Sequence, residues 1–141
     1  MVARRYQDLV CWQLCRELER RVYAFTAIKP AAADVDFCRQ IRKSSSSASR
    51  NICEGFGRFL PGDFGKFTRN ALGSLNETLD HLDKALEERY LSPALYQEMI
   101  QLAGRAIGAT TNLSKYLDSA RHTWRRRRKT PPRAKNKEPE P

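Results

Sequence analysis

Arg39, Lys43 and Arg50 are the residues whose type and spacing most directly spell out a chemistry. They lie four and seven positions apart. On a helix turning about 100° per residue they fall within about 40° of one another, on a stripe about 16 Å long. A stripe of that length tracks two or three phosphates of one nucleic-acid strand. Taken alone, it is as often a solvated face. Arg16 and Arg20, upstream, add to it, whereas Arg21 has Glu17 as a local partner. Arg58 and the run Arg125, Arg126, Arg127 and Arg128 complete the set of candidate phosphate ligands. No recognition-helix signature, zinc finger or RNA-binding aromatic motif accompanies them, so base readout is not expected.

Other chemistries find little support. A di-metal centre in a helical bundle needs Glu-x-x-His on two helices. His81 and His122 are the only histidines, and neither has Glu at that spacing. Glu77 with His81, and Asp118 with His122, read as exposed helical pairs. Cys11, Cys15, Cys38 and Cys53 could in principle hold zinc. Their spacing on regular helices is awkward for it, and free cysteines commonly fill cores. A nucleophilic cysteine needs a nearby base, which two distant histidines do not suggest. Gly55-Phe56-Gly57 lacks the preceding strand and following Lys-Ser/Thr of a phosphate loop. These glycines let a helix end fray or press against a neighbour. No metal, cofactor or catalytic residue is expected.

The elements that must position the stripe follow from periodicity. Within Phe37 to Phe59, the residues Phe37, Ile41, Ala48, Ile52, Phe56 and Phe59 form a core face opposite the basic one. Between the faces runs a polar seam, Ser47, Asn51, Glu54 and Arg58. Asn51, Glu54, Gly55 and Gly57 are candidate oligomer contacts, with a solvated edge as the alternative. Ser44 to Ser47 make a slender waist where another helix approaches closely; direct phosphate contact by Ser46 or Ser47 is the lesser reading. This second helix starts at a capping Asp34 and ends around 57–60.

The first helix runs from about Asp8, a plausible cap, to Ala27 through Cys11, Leu14, Leu18, Val22 and Phe25, and Lys29-Pro30 closes it. The third follows a Pro61-Gly62 turn capped by Asp63, and reaches about Glu88 along Leu72, Leu75, Leu79, Leu82 and Leu86. The fourth starts at Ser92-Pro93 and runs to about His122 through Leu95, Met99, Leu102, Ala106, Leu113, Tyr116 and Ala120. Gly104 and Gly108 read as a close-contact face on it. Short connections predict an all-α, antiparallel up-down-up-down four-helix bundle over residues 1–123, with a disordered, basic, Pro-containing tail over 124–141.

The formal net charge is +10 in 141 residues. Residues 1–123 hold 18 Lys+Arg against 14 Asp+Glu, and 124–141 hold 8 against 2, so most of the excess lies in the tail. An anionic partner follows, nucleic acid before acidic protein. No run of 18 apolar residues exists, so no membrane span is expected. The N-terminus does not read as a signal peptide, which points to the cytoplasm and reduced cysteines.

Three stretches carry a resemblance: Gln40-Ile41-Arg42-Lys43, Asn51-Ile52-Cys53-Glu54-Gly55-Phe56-Gly57-Arg58, and Phe64, Phe67 with Ala71-Leu72-Gly73-Ser74-Leu75-Asn76-Glu77. With Asp8-Leu9-Val10-Cys11-Trp12-Gln13 they resemble the bacterial four helix bundle protein family. That family includes proteins encoded in intervening sequences of large-subunit rRNA genes and is related to the accessory variability determinant of diversity-generating retroelements. The resemblance spans about residues 6–120 and is closer to the intervening-sequence branch. Ser44 to Ser47, where relatives have mostly small apolar residues, and the Arg125–Arg128 run depart from it. It implies a homo-oligomer, a pentamer, with a basic surface, no enzymatic activity and, in the retroelement branch, a reverse transcriptase partner. The expected function is a non-enzymatic scaffold binding RNA or DNA phosphates; the alternative is a module docking an acidic protein.

Overall fold

The computed structural model describes residues 3–58 and 60–129, with the side chain of Arg127 outside the description. Four helices carry it: α1 (Val10–Thr26), α2 (Val35–Phe56), α3 (Pro61–Glu87) and α4 (Pro93–Lys129). Among the described residues there is no strand. α1 packs on α2 and α4, and α3 packs on the same two, so the helices form a ring in chain order. The short connections make each neighbour antiparallel, as expected of an up-down-up-down bundle.

Local chemistry sets the helix ends. The Asp34 carboxylate accepts from the Phe37 amide at 3.1 Å and caps α2. Ser92 Oγ accepts from the Leu95 amide at 3.2 Å, and Pro93 opens α4. Two expected caps are displaced. Asp8 turns back onto the Arg4 and Arg5 amides at 3.3 and 3.1 Å and holds a 3-10 turn, Tyr6–Asp8. α1 therefore starts one residue later, with no side-chain cap. Pro61 is itself the first residue of α3, which puts Asp63 inside the first turn, where its charge suits the helix dipole. α3 ends through Arg89, whose φ of 59° lets the Tyr90 amide reach the Ala85 carbonyl at 2.8 Å.

The core follows the periodicities on α1 and α2, but on α3 the buried face runs through Thr68, Ala71, Leu75, Thr78, Leu82 and Ala85, and Leu72 and Leu86 of the expected leucine seam are only half-buried. Phe37, Ile41, Ala48 and Ile52 are buried, Phe56 is half-buried, and Phe59 lies outside the described residues. Cys15, Leu18 and Val22 of α1 meet Leu75 and Leu82 of α3 and Met99 of α4 in the fully buried centre. On α4, however, the inner face passes through Thr110, Ser114 and Leu117, and Tyr116 is exposed. Thr110 can be buried because its hydroxyl donates to the Ala106 carbonyl at 2.7 Å. Gly104 and Gly108 are also exposed, with nothing within 4 Å of an added Cβ. They form no close-contact face within the chain.

The serine waist does bring helices together. Ser44 Oγ meets Thr78 Oγ1 at 2.8 Å and Ser47 Oγ meets Ser74 Oγ at 2.9 Å, tying α2 to α3. Ser49 donates to Glu19 at 2.8 Å, tying α2 to α1. α4, at 37 residues, is about 55 Å long and the longest helix. It continues through residues 124–129, six positions expected to belong to the tail, because Arg and Lys are good helix formers. Residues 130–141, the rest of that tail, lie outside the described residues.

Candidate nucleic-acid interface

The register of α1 against α2 builds a groove. Arg42 Nε donates to Thr26 Oγ1 at 2.8 Å, and the Tyr23 hydroxyl lies 3.4 Å from Ser46 Oγ. Along this line the upper halves of the two helices enclose a cleft of about 710 Å³. Its α2 wall carries Arg39, Lys43 and Arg50, all exposed; its floor carries the half-buried Arg42. Tyr23 forms the α1 wall, with the Arg42 guanidinium 4.7 Å from its ring centroid. Below, a smaller hollow of about 270 Å³ shares Ser46 and Arg50 and adds Arg16, Trp12 and Tyr6.

The electrostatics of these cations differ. Arg39 pairs with Asp36 on its own helix. Among the described residues Lys43, Arg50 and Arg42 have no acidic partner, so their charge is available to a ligand. Arg42 is also held in place by Thr26 and Tyr23, so little freedom is lost if it binds. Arg42 and Tyr23 were not singled out as site residues from the sequence. Arg42 had a signal, since three positions from Arg39 puts it about 60° off the stripe. Tyr23 had none, because its place depends on the register between two helices.

The other candidates scatter. Arg16 is held by both oxygens of Glu19 at 3.0 Å. Arg20 faces solvent beside Glu17 at 4.0 Å and lines no cleft described here, so it does not join the stripe. Arg58 pairs with Glu54 at 2.9 Å and sits 5.3 Å from the Phe67 ring centroid, on the α3 side of α2. Arg125, Arg126 and Arg128 lie on the last turns of α4, away from the groove. The side chain of Arg127 lies outside the described residues.

Two of the four candidate oligomer contacts, Asn51 and Gly55, are occupied within the chain. Gly55 is buried: an added Cβ would stand 2.6 Å from Phe64 Cδ2 and 2.7 Å from Phe67 Cβ. It is spent on the α2–α3 contact. Asn51 is half-buried and donates to the Ser47 carbonyl at 2.8 Å. Glu54 and Gly57 are exposed, Gly57 as the residue closing α2.

Burial pushes the Cys11 thiol up to about 11 and the Cys15 thiol up to about 12, so both remain protonated near neutrality. Among the described residues no three His, Cys, Asp or Glu side chains gather to hold a metal ion. His81 is not exposed as expected: it lies edge-on to Phe37, and its Nε2 is buried without a hydrogen-bond partner, 3.7 Å from Glu77. Asp118 pairs with Arg69 at 3.7 Å rather than with His122. No described helix is long and apolar enough to cross a membrane.

A ring of four antiparallel helices with a cationic groove between the first two is thus the class of protein that the fold and the site define. The chain belongs to the 23S rRNA-intervening sequence protein family, whose profile matches residues 7–112. Among solved structures, a protein of unknown function from the S23 ribosomal protein family of Bacteroides thetaiotaomicron VPI-5482 is similar, at a TM-score of 0.70 and 21% identity. The match covers 77% of this chain and 98% of that one, and supports the fold. Among curated proteins none matches.

Proposed function

We propose that this chain is a non-enzymatic scaffold that holds a single strand of RNA or DNA by its phosphates along the α1–α2 groove. The observation that carries this reading is that Lys43, Arg50 and Arg42 line one concave cleft without acidic partners among the described residues. Arg16, Arg21 and Arg58, by contrast, are each matched by a carboxylate. The half-buried Arg42, with the Tyr23 ring beside it, suits a strand one nucleotide thick better than a rigid duplex. Neutralised phosphates release counterions, so affinity falls with salt.

The test is binding of a labelled single-stranded RNA and its duplex at about 50 and 200 mM salt. A steep loss of single-strand affinity supports the reading; a flat response defeats it. A second reading rests on Val35, 74% exposed in the lining of the same cleft, and on Ile28, 67% exposed two residues after the lining residue Thr26. These offer an acidic, apolar-tipped peptide contacts that phosphates do not use. Competition by such a peptide with no RNA binding would favour it.

The family resemblance adds an assembly to this proposal, five copies whose grooves make a ring of positive potential. Light scattering reads it directly: a mass near the 16.2 kDa of one chain removes the ring. In a retroelement setting the bound strand would be shared with a reverse transcriptase, and co-purification of the two would test that.

A further inference from the structure

α4 outruns the bundle it belongs to. Arg121 Nε lies 3.3 Å from where a Gly62 Cβ would stand, and Leu117 Cβ lies 3.9 Å from that of Gly65. The first turn of α3 is therefore level with Arg121, and residues 124–129 project about 9 Å beyond it. This projection lies outside the stretch matched by the family profile, which ends at residue 112. It carries Trp124, which is 38% exposed and belongs to no part of the core.

Trp124 stands between two clefts. One, of about 360 Å³, is lined by Lys66, Arg69, Arg121 and Arg125, with Asp63 the one carboxylate. Arg69 is partly offset by Asp118, but Lys66, Arg121 and Arg125 have no acidic partner among the described residues. The other cleft, of about 440 Å³, is apolar in character, with Pro61, Tyr116 and Ala120 beside the indole. The Arg128 guanidinium covers the ring at 4.9 Å. An indole flanked by three unmatched cations on one side and an aromatic hollow on the other repeats the alternation of a single strand, phosphate then base. A second copy of this chain is a poor occupant, because Arg125, Arg128 and Lys129 would face their own kind.

We propose that this end of the bundle is a second single-strand nucleic-acid contact, in which Trp124 receives the face of an unpaired base and Lys66, Arg121 and Arg125 receive the adjoining phosphates. Stacking of this kind tolerates any sequence, since every base has a π-face. The site lies on the α3–α4 side, at the opposite end from the upper groove, and does not depend on it.

The experiment uses the full chain carrying Lys43→Gln and Arg50→Gln, which removes two groove charges and isolates the bundle end. Tryptophan fluorescence and anisotropy are followed on adding a ten-nucleotide oligoadenylate, an oligouridylate or polyglutamate. The expected result is quenching by both oligonucleotides, with affinity falling about 5- to 150-fold in Trp124→Ala. Trp124→Phe should lose the quenching but keep most of the affinity. Arg121→Gln with Arg125→Gln should lower the salt slope by about 1.4. Quenching that survives in Trp124→Phe comes from Trp12 and overturns the proposal, as does an affinity indifferent to Trp124→Ala. Polyglutamate binding as tightly as RNA would make the site a dock for acidic protein, and would also overturn it. Loss of binding here with groove binding intact in the parent chain separates this proposal from the groove reading.

Discussion

Neutralising Lys43 and Arg50 together should change how steeply RNA binding depends on salt. Four cations line the upper groove: Arg39, Arg42, Lys43 and Arg50. If each neutralises one phosphate of a single strand, the slope of log affinity against log salt is about −2.8, since each contact contributes about 0.7. Raising salt from about 50 to 200 mM then weakens binding about 50-fold. With Lys43→Gln and Arg50→Gln two contacts remain, the slope falls to about −1.4, and the same change in salt costs only about 7-fold. Both side chains are exposed and neither has an acidic partner among the described residues, so the pair should shift stability by no more than about 0.5 kcal/mol each. The assay is anisotropy of an eight-nucleotide labelled RNA, in an Arg121→Gln/Arg125→Gln background that silences the bundle end. Arg20→Gln is the control, a cation of the same chain that lines no cleft described here. An unchanged slope in the double variant would refute the groove as the site. So would an equal effect of Arg20→Gln, which would mean that overall charge alone is being read.

Further outcomes test the packing. Gly55→Ala should destabilise by about 1–2 kcal/mol in urea unfolding, because its methyl meets the rigid Phe67 Cβ at 2.7 Å; Gly104→Ala and Gly108→Ala, in open space, should each stabilise by about 0.5–1 kcal/mol, and Arg89→Gly, relieved of its left-handed backbone, by about 1 kcal/mol. The bond from the Tyr90 hydroxyl to the Asp34 carboxylate, 2.6 Å, lowers the acid's pKa below its ordinary 3.8 and pushes the phenol up to about 12. The stability it gives is present above the acid's unfolded value and lost as pH falls through the lowered one; at the other limb it is present below about 10 and lost as pH rises through about 12. Thermal melts of Tyr90→Phe should therefore show a lower midpoint near neutrality and a weaker alkaline fall. Of the four free thiols only Cys53 is not buried, so a disulfide exchange reagent should titrate one thiol quickly and three only on unfolding.

The helices were legible because their signals are local: Asp34 and Ser92 cap, Pro61 and Pro93 open, and Phe37, Ile41, Ala48 and Ile52 repeat on one face. The same locality explains the misses. Asp8 looks like a cap until the amides behind it, of Arg4 and Arg5, are seen to compete for its carboxylate. Tyr116 fits the period of α4 by its apolar ring, yet the inner face runs through Thr110 and Ser114, polar residues that a hydrophobic count skips and that backbone bonding makes buriable.

The candidate site divides the same way. Arg39, Lys43 and Arg50 share one face of one helix, so periodicity alone aligns them. Arg42 joins them only because Thr26 and Tyr23 arrive from α1, a contact set by the α1–α2 register. Trp124 and Arg125 meet Lys66 only because α3 and α4 are antiparallel and α4 is the longer. Sequence spacing therefore locates charge on single helices, but whether a cation stands free or matched depends on what a second helix brings beside it. Arg20 and Lys43 read alike in the chain. One faces solvent beside Glu17 and the other lines a cleft, and the salt slopes of their two glutamine variants should differ for that reason alone.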